Sequence, residues 1–163
     1  MSRCGRGAWL LVSAALAALP ACGCGEKDEP APAQGQINGR RWFVDVAATH
    51  AERYRGLGGR ERLMEGTGML FIYPSAKVRE FCMRGCVVPL DIAFLDADRR
   101  VVQIRTMVVE PDLAGRKTYS SLRPAQYALE VPAGELGAAG VNVGDVAEFL
   151  GDIPDAAKAE PGP

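Results

Sequence analysis

The sequence is poor in the residues from which most active sites are built. It holds one histidine, His50, and five cysteines, three of which fall within the first 24 residues. A structural zinc site asks for four Cys or His ligands, so no metal and no other cofactor is expected. No Gly-x-Ser-x-Gly elbow is present, and Ser120 and Ser121 stand before Pro124 with no base close in sequence, which argues against a serine hydrolase. The glycine-rich stretches Gly56–Gly59 and Gly66–Gly68 match neither phosphate-binding pattern and read as helix termination and turns. There is no basic surplus: 19 Lys and Arg face 20 Asp and Glu, a net charge of −1. A nucleic-acid binder needs a basic face to neutralise phosphates, so nucleic acid is excluded as a partner. No apolar run reaches the ~20 residues of a membrane-spanning helix.

What the chain does have begins at its N-terminus. Arg3 and Arg6 precede an apolar run from Ala8 to Leu19, the pattern of an export leader. The segment Leu19-Pro20-Ala21-Cys22 that follows resembles the lipobox of bacterial lipoproteins. That resemblance implies cleavage before Cys22 and acylation of its sulfur and amine. Cys24 is a second candidate for the lipid, and ordinary secretion with cleavage near Ala21 is the alternative. Gly23 stands where an aspartate would signal inner-membrane retention, which points to the outer membrane. Residues 1–21 are thus read as a signal peptide, and 22–36 as the lipidated cysteine with a flexible linker rich in Gly, Pro and charge. Residues 37–153 form the domain. The prolines of 154–163 mark a disordered tail.

Within the domain, extended runs dominate. Trp42 to Val46 follows the turn dipeptide Asn38-Gly39 and places Trp42, Val44 and Val46 on one face. Thr49 with Glu52 forms a capping box, which predicts one short helix stopped by Gly56, Gly58 and Gly59. Arg53, Arg55, Arg60 and Arg62 read as a solvated face of that helix and its exit loop. Further strands are predicted at Gly68–Tyr73 (ended by Pro74), Phe81–Met83, Val87–Leu95, Val101–Val109, Gln126–Val131 and Asp145–Leu150, with a hairpin turn at Asp96–Arg99. Short strands separated by turn residues predict a mainly β fold, a small antiparallel sandwich or jelly-roll-like barrel.

The runs Glu52-Arg53 with Arg55-Gly56-Leu57, Gly68-Met69-Leu70-Phe71, Phe81-Cys82-Met83-Arg84, Pro89 to Asp96, Leu129 to Gly134 and Gly144-Asp145 resemble, in the same order, the family called domain of unknown function 192. The resemblance spans nearly the whole domain. It implies a compact jelly-roll-type β-sandwich with a short helix, found in exported or lipid-anchored proteins, and it supplies no reaction. The family usually carries Trp and Thr where this chain has Cys82 and Cys86, and Met where it has Gly58. A role resting on that ring or hydroxyl therefore does not transfer.

Three groups could carry chemistry. An exported domain makes a Cys82–Cys86 disulfide the expectation; free thiols, or a redox or metal role, are the alternatives. Residues four apart on a straight strand are about 13 Å apart, so a bridge needs a bend, which Gly85 allows. Asp91 falls among apolar neighbours on the Val87–Leu95 strand and needs a partner, which Arg84, Arg79 or Arg105 could supply. Glu80, Met83, Arg84 and Asp91 are accordingly the ligand-binding candidates. The resulting expectation is an envelope lipoprotein, held to the membrane by its lipid, whose β-domain binds a small ligand or an envelope protein without catalysis. Its rivals are an enzyme using Asp91 as acid or base in a cleft and a redox module using Cys82 and Cys86. Peptide mapping of protein taken from native membranes is expected to place acyl mass on Cys22; an unmodified N-terminal peptide starting near Cys22 would replace lipidation with simple secretion.

Overall fold

The computed structural model describes residues 31–161. The leader, Cys22, Cys24 and most of the linker lie outside the described residues. The domain is mainly β, as expected. Strands β1 (Gln34–Ile37), β2 (Arg40–Ala47), β3 (Thr67–Lys77), β5 (Leu90–Leu95), β6 (Val101–Met107), β8 (Ala125–Pro132) and β9 (Glu148–Leu150) form one sheet in the order β6-β5-β8-β3-β2-β1-β9. Strands β4 (Glu80–Cys82) and β7 (Thr118–Ser120) pair as a separate ribbon. The long sheet curls far enough for its two ends to meet. Arg100 and Val146 form an antiparallel bridge, and Val101 N–H donates to the Asp145 carbonyl at 2.8 Å.

One pairing departs from an all-antiparallel expectation: β2 and β3 run parallel. Parallel neighbours need a crossover, and helix α1 (His50–Arg55) with the glycine-rich loop after it supplies one. The capping box forms as expected: Glu52 N–H donates to the Thr49 hydroxyl, and Thr49 N–H to the Glu52 carboxylate. Gly56 ends the helix at φ 52°. A second helix not foreseen, α2 (Glu135–Ala138), follows β8.

The Asn38-Gly39 dipeptide makes the tight hairpin its composition demands, with φ of 50° and 79°. The strand before it, β1, begins inside the stretch expected to be a linker. Pro74 does not end β3 either. The strand continues through a bulge between Ile72 and Lys77, the kind of position where a proline's missing N–H disturbs no ladder. The C-terminal tail corrects its expectation too. Ala156–Lys158 form a 3-10 turn, and Ala156 and Ala159 are buried. Glu160 accepts from His50 N–H at 2.9 Å and, through its carbonyl, from Arg53 at 2.6 Å.

The central strands β3, β5 and β8 are buried on both faces. On one face Trp42, Val44, Leu70, Ile72, Ala93, Leu95, Leu129 and Val131 form a core with Leu136 of α2. On the other, Met69, Phe71, Phe81, Met83, Cys86, Leu90, Ile92, Phe94 and Met107 form a second core under the β4–β7 ribbon. Gly68 lets β3 and β8 come together. A Cβ there would lie 2.2 Å from the Glu130 carbonyl oxygen and 3.1 Å from a Val131 methyl. Gly68→Ala is therefore expected to lower the unfolding free energy by about 1–3 kcal/mol, read from urea denaturation; an unchanged midpoint would mean that the two strands have slack to separate.

Candidate functional site

Strand β8 alternates its faces. Tyr127, Leu129 and Val131 enter the first core, while Ala128 lies in the second. Glu130 shares the side of Ala128 by the period of two. Its register partners on the flanking strands are Met69 and Ile92, both second-core residues. The fold thus delivers a carboxyl group into an apolar layer, where Glu130 is only 4% exposed.

Glu130 meets open space there, as the floor of a cleft of about 140 Å³. Its walls are Phe71, Tyr73, Phe81 and Cys82, and its rim carries Arg53, Tyr54, Arg55, Glu80 and Arg84. Among the described residues, no group hydrogen-bonds the Glu130 carboxyl. Without a partner, burial favours the neutral acid and pushes its pKa from 4.5 up to about 8.

Each wall has a local cause. The bulge in β3 sets Tyr73 at the cleft. Arg79 stacks on its ring at 3.8 Å and Arg53 at 4.8 Å. Burial raises the Tyr73 pKa against the opposing pull of these arginines, and burial lowers that of Arg79. Phe81 meets Phe71 edge to face at 4.9 Å. Arg53 is not the solvated residue expected of it. It donates to the carbonyls of Ala48, Ile72 and Glu160, which locks helix, strand and tail together. Arg84 rides on a loop held from two sides: Gly59 N–H donates to the Gly85 carbonyl, and Gly85 N–H donates to the Leu113 carbonyl, both at 2.9 Å. Its guanidinium covers the Tyr54 ring at 3.9 Å and donates to the Tyr54 carbonyl at 3.0 Å.

The residues picked out from the sequence divide between two places. Glu80 and Arg84 reach the cleft, with Cys82. Met83 is fully buried in the second core. Asp91 faces the other core and does not line the cleft, nor do Arg84, Arg79 or Arg105 partner it. Its carboxylate accepts from the Thr106 hydroxyl at 2.7 Å and from the N–H groups of Gly134 and Leu136 at 2.8 and 3.3 Å. It ties β6 and the start of α2 to β5, a positional role away from the cleft.

The expected disulfide is also corrected: Cys82 and Cys86 are free thiols. The bend at Gly85 exists, with φ 68° and Cys86 N–H donating to the Met83 carbonyl. The bend turns Cys86 into the apolar core and leaves Cys82 at the cleft wall. Burial, and then the proximity of Glu130, push the Cys86 thiol up to about 11, the opposite of what a reactive thiolate needs. Ser121 is buried, accepting from Arg79 N–H and donating to the Arg123 carbonyl, so it braces a loop.

Glu130 itself is the functional candidate that sequence reasoning passed over. The signal was available, since Glu130 is the one charge in the apolar run Tyr127–Val131.

A curled β domain with a small, positively rimmed cleft over a buried acid is the class these features define. The chain belongs to the DUF192 family, described as Uncharacterized ACR, which matches residues 33–149. It is similar to a crystal structure of a protein of unknown function from Novosphingobium aromaticivorans DSM 12444, with 29% identity over 86% of this chain and 99% of that one, at a TM-score of 0.64. It is similar also to a protein from Sinorhizobium meliloti 1021 described as a "putative transcription regulator", with 26% identity over 74% of this chain and 95% of that one, and the same TM-score. No curated protein matches it.

The protonated floor has a consequence for stability. Between pH 4.5 and about 8 the folded chain holds a proton on Glu130 that the unfolded chain releases. The stability from this group is complete below pH 4.5 and falls as pH rises through about 8. The slope approaches about 1.4 kcal/mol per pH unit within that window. Glu130→Gln is expected to remove this component and to unfold at higher urea than the native chain at pH 8. Parallel pH profiles for the two proteins would place the native carboxyl in its ordinary ionised state.

Proposed function

We propose that this protein is a lipid-anchored envelope protein whose β-domain binds a small ligand without transforming it, in the cleft over Glu130. The observation that carries the reading is the buried Glu130 carboxyl, open to the cleft and unpartnered among the described residues. No fully enclosed side-chain oxygen lacks a partner among the described residues, so the carboxyl oxygens reach the cleft space, where water or a bound ligand group can hydrogen-bond them. The leader and the lipobox-like Leu19-Pro20-Ala21-Cys22 support the anchoring half of the proposal.

The rival readings have less behind them. An acid–base enzyme built on Asp91 lacks a free carboxylate, because both its oxygens accept hydrogen bonds. A thiol redox module would need Cys86 as a thiolate, and burial holds that thiol protonated. DNA binding, which the description of one similar structure would suggest, finds no basic surplus in a chain of net charge −1.

Fragment titrations of the nitrogen-15-labelled protein are expected to move the backbone resonances of Gly56, Leu57, Cys82 and Glu130. A folded Glu130→Leu variant is expected to lose that response. A larger open groove of about 410 Å³ lies beside Phe43, Arg60 and Met64; fragments that moved only its residues would relocate the binding site and overturn the assignment.

A further inference from the structure

The charges and ring faces around the cleft narrow the ligand chemistry. Three guanidinium groups, from Arg53, Arg55 and Arg84, line it, against the single carboxylate of Glu80 at the mouth. A cationic ligand would seek an open aromatic face. Tyr54 is covered by Arg84, and Tyr73 by Arg79 and Arg53. The two tyrosine rings thus already carry the protein's own cations, Phe71 and Phe81 are packed edge to face with each other, and an ammonium group meets an unfavourable field.

The arginines also differ in what they can still offer. Arg53 has committed donors to three backbone carbonyls, so it contributes charge from a fixed position. The Arg84 guanidinium makes one hydrogen bond, to the Tyr54 carbonyl, and that of Arg55 makes none among the described residues. Both keep N–H groups for a ligand at the rim. A space of about 140 Å³ admits a headgroup of a few heavy atoms and excludes a drug-sized molecule, whose pocket would measure roughly 300 Å³ or more.

Resting on the binding reading above, we propose that the cleft takes a small carboxylate, one oxygen accepting a hydrogen bond from the Glu130 carboxyl on the floor and the other held by Arg84 and Arg55 at the rim. A planar carboxylate presents two oxygens in one plane. One oxygen can take charge-assisted hydrogen bonds from the rim guanidinium groups while the other takes the single acid O–H. The charges around Glu130 come from the elements packed against it. Helix α1 offers Arg53, Tyr54 and Arg55; β3 offers Tyr73; the ribbon and its loop offer Glu80, Cys82, Arg84 and Cys86. Among these described residues Glu80 alone brings a negative charge, and it is exposed. The floor carboxyl has to keep its proton for this pairing, because an ionised Glu130 would repel the ligand and donate nothing.

The test uses acetate and propionate, with methylammonium and inorganic phosphate as comparisons, followed by nitrogen-15 NMR on the intact lipid-free chain at pH 6 and pH 9.5. Saturable shifts at Gly56, Leu57 and Cys82 with the two carboxylates are expected at pH 6. They should weaken at least tenfold at pH 9.5, the range in which a carboxyl titrating near 8 loses its proton. Glu130→Gln keeps a donor and has nothing to titrate, so its binding should persist and lose most of that pH dependence. Arg84→Ala should weaken binding roughly tenfold without altering the pH profile, as loss of one charge-assisted contact does. Methylammonium or phosphate binding at these residues in preference to the carboxylates, with dependence on Glu130, would overturn the ligand class and leave the cleft as the binding site. No Glu130-dependent response to any of the four probes would overturn the carboxylate proposal, and fragments that also failed there would remove the binding reading with it.

Discussion

Everything distinctive in this molecule follows from central strands with no water-facing side. Strand β8 lies between β3 and β5, with one apolar core on each face. Along such a strand a polar side chain has no route to solvent by rotating outward. It must find a partner inside, perturb its ionisation, or open onto a cavity. Asp91 on β5 took the first course, accepting hydrogen bonds from Thr106, Gly134 and Leu136. Glu130 on β8 combines the other two. Two carboxyl groups on adjacent strands, pointing to opposite faces of one sheet, thereby end with opposite character. One is structural and satisfied. The other is free to act.

This also sets how much the sequence could disclose. Alternation in Trp42, Val44 and Val46, the Asn38-Gly39 turn, and the Thr49–Glu52 box are local signals, and each produced its structure where expected. The elements missed lacked such signals. Strands β1 and β7 are short, and β1 opens with Gln34-Gly35-Gln36, which no hydrophobic pattern distinguishes from a linker. The tail from Pro154 looked disordered because its anchoring residues are alanines, whose small side chains bury without advertising it. Pro74 read as a stop because a bulge cannot be foreseen from one strand alone.

The candidate site was harder to read because it is assembled from distant segments. A charge inside an apolar run drew attention to Asp91, and the same rule applied to Tyr127–Val131 would have drawn it to Glu130. The rule finds buried acids. It cannot say which of them has a partner, since the partners of Asp91 come from residues 106, 134 and 136 and the cleft over Glu130 is walled by α1, β3 and the β4 ribbon. The thiol pair shows the same limit. Spacing and a glycine foretold the bend between Cys82 and Cys86, but which way each side chain leaves that bend is decided by the core beneath Cys86.

The pairing of segments far apart in sequence bears on the order in which the domain can form. The first strand pairs with the last, β1 with β9. Helix α1, made early, receives one of its N-terminal contacts and one hold on Arg53 from Glu160. The middle strands can pair before those distant segments arrive, but until then the sheet stays unsealed and Arg53 at the rim of the cleft lacks one of its holds. Closure of the sheet is thus a long-range event, reached after the nearer pairings because the entropy of bringing distant segments together must be met first.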